Sequence, residues 1–386
     1  MPPAEYVAYS HARASHSCMT SSYACSLMSA KNQMPPAESL DFPLRSLYHV
    51  FMCRYKCKWL YFHMVIFMLG FLLLGLTGCQ SLPVRVSSTG FYFDTVISVT
   101  IYDAETTTRG NELLAGCMSM AEYYENLYSR TIPTSDIARI NSHPGEYVTV
   151  SPETITLLQT ACHFASISNG LIDPSIGAVS SLWNFHEMEE PVLPDDDVLA
   201  EALSHVDYRK ISIQGSQVKL SEEGMALDLG FIAKGYIADR MKEYLLKEGI
   251  QSAIISLGGN ILAVGTKPDG SPFHVGIQKP FADTGTPVLT IDDSDRSVVS
   301  SGNYERYFEV NGILYHHILS TENGYPVSSG LSQVTILSDD SVTGDALSTL
   351  CFISGYEKAT TLLRNYPDVQ AIFVLDDGSV SSFNFD

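Results

Sequence analysis

Positive charge is scarce in this chain. Across 386 residues, 23 lysines and arginines face 43 aspartates and glutamates, for a formal net charge of -20. Such a surface repels nucleic acid and anionic lipid, so a polyanionic macromolecule is excluded as a partner. A phosphate-bearing ligand would need a local cation, supplied by a metal ion or by the few lysines. Several signatures are absent altogether: GxSxG, GxGxxG, a P-loop, HExxH and paired CxxC motifs do not occur. Their absence leaves serine-hydrolase, dinucleotide-domain, P-loop and zinc-enzyme readings without support. Cysteine is of little help too. Beyond Cys79 the chain has Cys117, Cys162 and Cys351, an odd number set far apart among apolar residues. They predict buried small hydrophobes, with no disulfide framework and no zinc site.

Hydrophobic residues make up 45% of the chain, enough for one large or two ordinary globular domains. Addressing information lies near the start. Arg54, Lys56 and Lys58 precede an apolar run from Trp59 to Leu76, which ends in Leu76-Thr77-Gly78-Cys79. A basic flank, an apolar stretch and small residues before a cysteine resemble a bacterial lipoprotein signal peptide, with Cys79 as the acylated first residue of the mature protein. A plain transmembrane anchor is the alternative, and both readings put the remainder outside the cytoplasm on the membrane's outer face. Residues 1–51 contain MPPAE twice and no periodic pattern, which predicts a misassigned start or an unstructured extension. The expected organisation is therefore an extension over 1–51, a signal peptide over 52–78, a lipid-anchored tether over 79–90 and one domain over 91–386.

Within that domain, Phe91 to Tyr102 alternates and is rich in β-branched and aromatic residues, predicting one strand. Glu112 to Leu127 has helical spacing of apolar residues, Ser135 caps a short helix, and Pro152 opens another that runs to Ser168. Val206 to Leu220 reads as a hairpin. Ala226 to Leu229 reads as the end of a buried strand, followed by a turn at Gly230 and a helix over 232–248. Ala253 to Gly265 reads as two strands around Gly-Gly-Asn, and at least five further strands follow. Ser341 to Leu363 holds two helices divided by Gly355. Helices mixed with many hairpins predict an α+β fold rather than a βαβ repeat.

Two stretches carry chemistry. In ALDLGFIAKGYIADR, 226–240, the first turn of a helix and Lys234 together would suit an anion such as phosphate; a plain junction, with Asp228 as a cap, accounts for the same residues. In Gly344-Asp345-Ala346-Leu347-Ser348-Thr349, a carboxylate and a hydroxyl one helical turn apart suit a hard cation such as magnesium; an aspartate complementing the helix dipole is the alternative. His316 and His317 end an alternating strand and point to opposite faces, so one of them can reach a given site.

The ordered series SRTIPTSDIARIN, IDPSIGAVSSLWNF, ALDLGFIAKGYIADR, AIISLGGNILAVG, HVGIQKP, SVVSSGNYERYF, HHILSTENGYPV and SQVTILSDDSVTGDALST resembles the ApbE family of FAD:protein FMN transferases, from about Phe91 to the C-terminus. The resemblance implies a tandem T-fold-like domain, with antiparallel sheets flanked by helices. It also implies FAD as substrate, Mg2+ as cofactor, and transfer of FMN to a threonine or serine of an acceptor flavoprotein, with release of AMP. The family suggests an extracytoplasmic subunit of an electron-transfer complex as that acceptor.

Matched by motif, the resemblance assigns Asp345 and Thr349 to the metal. Asp173, Gly177, Trp183, Asp228, Lys234, Gly258, Gly259, Gln278, Ser301, Gly302 and His317 are assigned to the flavin nucleotide, with the 230–234 turn near the diphosphate. His317, or a carboxylate near the metal, is expected to act as general base, and Asp345 is expected to be catalytic. The chain departs from the family pattern at Phe93-Asp94-Thr95, where Met-Gly-Thr is common, at Trp183-Asn184-Phe185, where WGF is common, and at Thr131, where a tyrosine is common. These departures leave two alternatives to transfer: hydrolysis of FAD to FMN and AMP, and flavin binding without catalysis.

Overall fold

A computed structural model describes residues 52, 54–55, 58–68, 83–183, 185 and 193–385. The chain divides into two units, Met1–Gln80 and Ser81–Asp386. In the first, 58–68 is helical and exposes Trp59, Leu60, Phe62 and Phe67. Among the described residues no helix is long and apolar enough to cross a membrane. All of 1–51, much of the expected signal peptide and Cys79 lie outside the described residues.

The second unit is built on an eight-stranded antiparallel sheet. Its strands, in spatial order, are β1 (Val84–Tyr92), β2 (Thr95–Ala104), β6 (Ser252–Leu257), β7 (Asn260–Gly265), β10 (Ser297–Gly302), β13 (Leu331–Ser338), β14 (Gln370–Leu375) and β15 (Val380–Phe383). Four helices accompany it: α1 (Thr107–Tyr128), α6 (Ala233–Lys247), α7 (Ser341–Ser354) and α8 (Tyr356–Leu363). Sequence and spatial order together give two successive β-β-α-α-β-β units, β1-β2-α1-α6-β6-β7 and β10-β13-α7-α8-β14-β15. They meet where β7 pairs β10 through Ser297↔Leu262, Val298↔Ile261 and Val299↔Asn260. The α+β expectation and its tandem character are therefore met.

Strand alternation sorts the core. Ile336, Phe373 and Leu262 point into the main core with Leu113, Ile237, Leu347 and Phe352 of the helices. Their neighbours Val298, Leu337 and Ile372 point to the other face, which the hairpin β8 (Phe273–Gln278) and β9 (Pro287–Asp293) covers with Val275 and Ile277. Cys117 and Cys351 are buried in the main core as free thiols, as expected, whereas Cys162, expected to be buried as well, is only half-buried.

Two insertions build the remaining walls. Between α1 and α6 lie α2 (Asp136–Asn141), β3 (Val148–Thr149), α3 (Pro152–Ile167), α4 (Gly177–Ser180), α5 (Asp196–Ser204) and the hairpin β4 (Ile211–Gln214) and β5 (Gln217–Leu220). Asp136 ties this insertion together. Its buried carboxylate accepts the Ser151 N–H at 2.8 Å and the Thr154 hydroxyl at 2.7 Å, and it pairs with Arg139 at 3.1 Å. Between β10 and β13 lies the hairpin β11 (Tyr307–Val310) and β12 (Ile313–His316).

Three local expectations are corrected. Residues 84–90, expected to be tether, are the bulk of β1, which pairs along β2. The single strand expected over 91–102 is broken at Phe93 and Asp94, both of which take the left-handed conformation of a tight hairpin turn (φ 53° and 55°). Ala226–Leu229 is extended but makes one isolated bridge, Ile176↔Ala226. Its backbone is satisfied instead by Asn141, whose side chain pairs with both the N–H and the C=O of Leu227, and by Pro174 O, which accepts the Asp228 N–H at 2.8 Å.

Candidate active site

One end of the sheet, both insertions, the first turn of α6 and the Asp345, Thr349 and Ile353 face of α7 surround a cavity of about 630 Å³, a size suited to a cofactor-scale ligand. Its described lining carries six carboxylates (Asp94, Glu125, Asp173, Asp228, Glu305 and Asp345) against three cations (Arg130, Lys234 and Arg306). A diphosphate entering this wall meets net repulsion unless a further cation accompanies it.

Asp345 sits at the cavity on α7, only 2% exposed. Its Oδ2 accepts the Gly235 N–H of α6 at 2.9 Å, and its Oδ1 lies 3.5 Å from Lys234 Nζ. Thr349, one turn further along α7, also lines the cavity, and its hydroxyl is 3.1 Å from that of Ser301 on β10. Ser301 in turn meets Ser348 at 2.8 Å. The cluster is thus one carboxylate with neighbouring hydroxyls, all hard oxygen donors. Among the described residues no group of three or more His, Cys, Asp or Glu side chains is arranged to hold a metal. A sparse oxygen set fits a magnesium ion, which takes few protein ligands and completes its shell with water and substrate phosphate.

Asp228 anchors the loop leading into α6. Ser180 donates to its Oδ2 at 2.8 Å, Arg130 approaches the same oxygen at 3.3 Å, and the Gly230 N–H donates to its Oδ1 at 2.9 Å. Burial opposes ionisation, but Arg130, the Gly230 N–H and Ser180 outweigh it and hold the carboxyl below its ordinary range. Four N–H groups around this turn are already engaged. Gly230, Ile232, Ala233 and Gly235 donate to Asp228, Leu229, Leu229 and Asp345, and Phe231 and Lys234 of the same turn line the cavity.

His317 lines the cavity, whereas His316 is buried against Phe352 and bonds Val327 O at 3.0 Å. The two faces separate as strand geometry predicts. Burial, and then the nearby Arg306 guanidinium, pushes the His317 imidazole down to about 3, so it is neutral in neutral solution. Trp183 forms an aromatic wall. It stacks on Phe185 at 5.9 Å and 8°, and its indole N–H donates to Gly324 O at 2.9 Å. Asp173 also lines the cavity, but its carboxylate is committed to Ser175 and to the Tyr208 N–H. Burial raises its pKa despite those hydrogen bonds.

Gly258 and Gly302 line the cavity, and Gly259 adjoins it, with Glu305 3.6 Å from the position a Cβ would take. Gly258 and Gly259 form the β6–β7 turn with φ of 52° and 97°, conformations that favour glycine. Besides Gly259, two residues expected in the site, Gln278 and Gly177, are not in its described lining. Gln278 closes the β8–β9 loop, donating to the carbonyls of Lys279, Ala282 and Asp283 and accepting the Gly285 N–H at 2.8 Å. Gly177 lets α4 pack against the backbone of Ala226, where a Cβ would lie 2.6 Å from the carbonyl oxygen.

The structure also brings in residues that motif reading passed over. Arg130 and Arg306 supply two of the three cavity cations, and Arg306 reaches the carbonyls of Phe93 and Asp94, each at 3.4 Å. Glu125 accepts the Phe93 N–H at 2.6 Å, fixing the same turn from the α1 side. Arginines are so few in this chain that each one beside a motif was a signal worth following.

Comparison with known proteins agrees with this geometry. The ApbE family model matches residues 93–373. A FAD:protein FMN transferase of Treponema pallidum (strain Nichols) is 35% identical over 302 residues, covering 74% of this chain and 83% of that protein. One from Klebsiella pneumoniae (strain 342) is 36% identical over 264 residues, covering 68% and 82%. Among solved structures, the ApbE protein of Thermotoga maritima MSB8 superimposes with a TM-score of 0.71 at 30% identity, covering 77% of this chain and 96% of that one. With the family model running from the β1–β2 turn into β14 and so including both insertions, and with relatives this similar, the chain belongs to the ApbE family.

Proposed function

We propose that this protein is a magnesium-dependent FAD:protein FMN transferase that attaches FMN through a phosphoester to a threonine or serine of an acceptor flavoprotein. The observation that carries the reading is the placement of Asp345 and Thr349, one turn apart on α7, beside Lys234 in a cavity whose wall is otherwise acidic. The names of its relatives support the transferase activity.

Asp345 and Thr349 would hold the magnesium ion, with Ser301 beside them. When bound, the ion would neutralise diphosphate charge and make the phosphorus more electrophilic. Lys234 and Arg306 bring further positive charge to the same wall, and Trp183 offers a flat face to an aromatic ring. The acceptor hydroxyl attacks the FMN-side phosphorus, the new P–O bond forms, the bond to the bridging oxygen breaks, and AMP leaves with that oxygen. The hydroxyl proton passes to His317 or to a carboxylate of the wall. His317 is a weak base chiefly because it is buried, with Arg306 and Lys234 adding to the effect. A dianionic ligand would offset the part of that shift that the two cations cause.

Hydrolysis is the second reading, and a specific observation favours keeping it. Two departures from the family pattern, Asp94 and Thr131, both line the cavity, where they change its shape and polarity. Incubation with FAD, magnesium and an acceptor protein separates the outcomes. Consumption of FAD with AMP release and no free FMN supports transfer; equal amounts of free FMN and AMP support hydrolysis; unchanged FAD contradicts both.

We further place the protein at the outer face of the cell membrane, anchored through acylated Cys79, with an extracytoplasmic electron-transfer subunit as its acceptor. The basic flank and apolar run before Cys79 support this placement. Labelling with radioactive palmitate tests it: incorporation that is lost on Cys79→Ser is expected, and label retained by that variant argues against the anchor.

A further inference from the structure

Helices α6 and α7 exchange carboxylates at their first turns. Asp345 of α7 accepts the Gly235 N–H of α6, as described above. One turn along α6, Asp239 accepts the N–H groups that open α7, Ser341 at 2.8 Å and Val342 at 2.9 Å. Asp239 is 9% exposed and is not among the residues that line the cavity. A buried carboxylate is expensive, and two backbone donors at a helix N-terminus offset that cost. The crossing is close: a Cβ on Gly235 would clash with the carbonyl oxygen of Ser341. The reciprocal bonds therefore fix α7 against α6 in both position and rotation.

We propose that Asp239 is a positioning residue for the metal pair, holding α7 so that Asp345 and Thr349 stay in register with Lys234. The inference rests on the magnesium reading. Asp345 and Thr349 follow the capped N–H groups by one and two turns, so a shift at Ser341 is carried along the rigid helix to both donors. A residue that orients ligands from behind typically changes metal affinity by about 10–100-fold when altered. Asp239→Asn preserves volume, but its amide presents only one acceptor atom to two N–H donors, which loosens the register without opening a cavity. Gly235→Ala perturbs the same crossing from the opposite side without changing any charge.

Calorimetric titration of the purified protein with Mg2+, repeated with Mn2+ monitored by electron paramagnetic resonance, tests the proposal alongside thermal unfolding. Wild type should bind, and Asp345→Ala should not. Asp239→Asn and Gly235→Ala should each bind about 10-fold or more weakly, with a folded circular-dichroism spectrum. Wild-type metal affinity in a folded Asp239→Asn, even with a lowered melting temperature, would make the residue merely structural and overturn the proposal. If Asp239→Asn does not fold, Gly235→Ala decides: weakened binding supports the register argument and wild-type affinity overturns it. Equal binding by wild type and Asp345→Ala would instead remove the metal reading, and this inference with it.

Discussion

Lys234 Nζ lies 3.5 Å from Asp345 Oδ1, joining the first turn of α6 to α7 at the wall of the cavity. The side chains are 27% and 3% exposed, so the pair is shielded more than a surface ion pair but remains open on the lysine side. The two charges have different tasks in the proposed reaction. The carboxylate serves a metal, and the ammonium serves an anion.

Asp345→Ala should reduce FMN transfer by at least about 1,000-fold, the scale expected when the group that secures phosphoryl-charge stabilisation is lost. The Gly235 N–H also loses its acceptor, at a cost of about 1–3 kcal/mol. Stopped assays and urea unfolding of the same preparation measure the two effects separately. A folded variant with wild-type transfer would remove Asp345 from the site.

Lys234→Met should act differently. With Asp345 still present, magnesium binding should persist while transfer falls, about 10–100-fold for loss of one charge-assisted contact of about 1.5–3 kcal/mol. Initial rates over a range of FAD and magnesium concentrations check this. Loss of magnesium affinity with unchanged FAD dependence would reverse the two assignments.

Trp183→Ala should destabilise the protein by about 3–5 kcal/mol, because a buried indole is lost from a wall shared with Phe185 and Phe308. Trp183→Phe keeps an aromatic face but drops the hydrogen bond to Gly324 O, for about 0.5–1.5 kcal/mol. Urea midpoints give both values. Quenching of flavin fluorescence on binding should be largely retained by the Phe variant and lost in the Ala variant.

Protonation of His317 is disfavoured in the fold, so the unfolded chain holds more protons there between its ordinary pKa near 6.5 and about 3. Stability is therefore unaffected by this group above that window and falls as pH drops through it. The variant His317→Gln should unfold with a shallower pH dependence between those limits. Urea midpoints at a series of pH values measure the slope, and identical slopes in both proteins would contradict the burial and Arg306 argument.

Much of the site was legible because it depends on local spacing. That Asp345 and Thr349 share one helix face follows from helix period, while their assignment to a metal came from the family resemblance; His317 separates from His316 by strand alternation. Gln278 was not readable in the same way: an amide in a strand-end motif can face a ligand or close its own loop, and only the placement of Lys279 to Gly285 shows that it does the latter. Gly177 likewise serves a close backbone approach to Ala226 that depends on residues about fifty positions away. In the fold, β1 was hidden by the polar content of VRVSSTGFY and by a Phe-Asp turn that lacks glycine. Glu125 and Arg306, from distant elements, hold that turn in place.

The account is tested most directly by intact-mass spectrometry of an acceptor flavoprotein after incubation with this protein, FAD and Mg2+. The account predicts an acceptor heavier by one FMN moiety, with the added mass on a threonine or serine. It also predicts that chelating the metal, or using Asp345→Ala, abolishes the addition. An unmodified acceptor accompanied by free FMN and AMP, or modification that proceeds unchanged without metal, would contradict it.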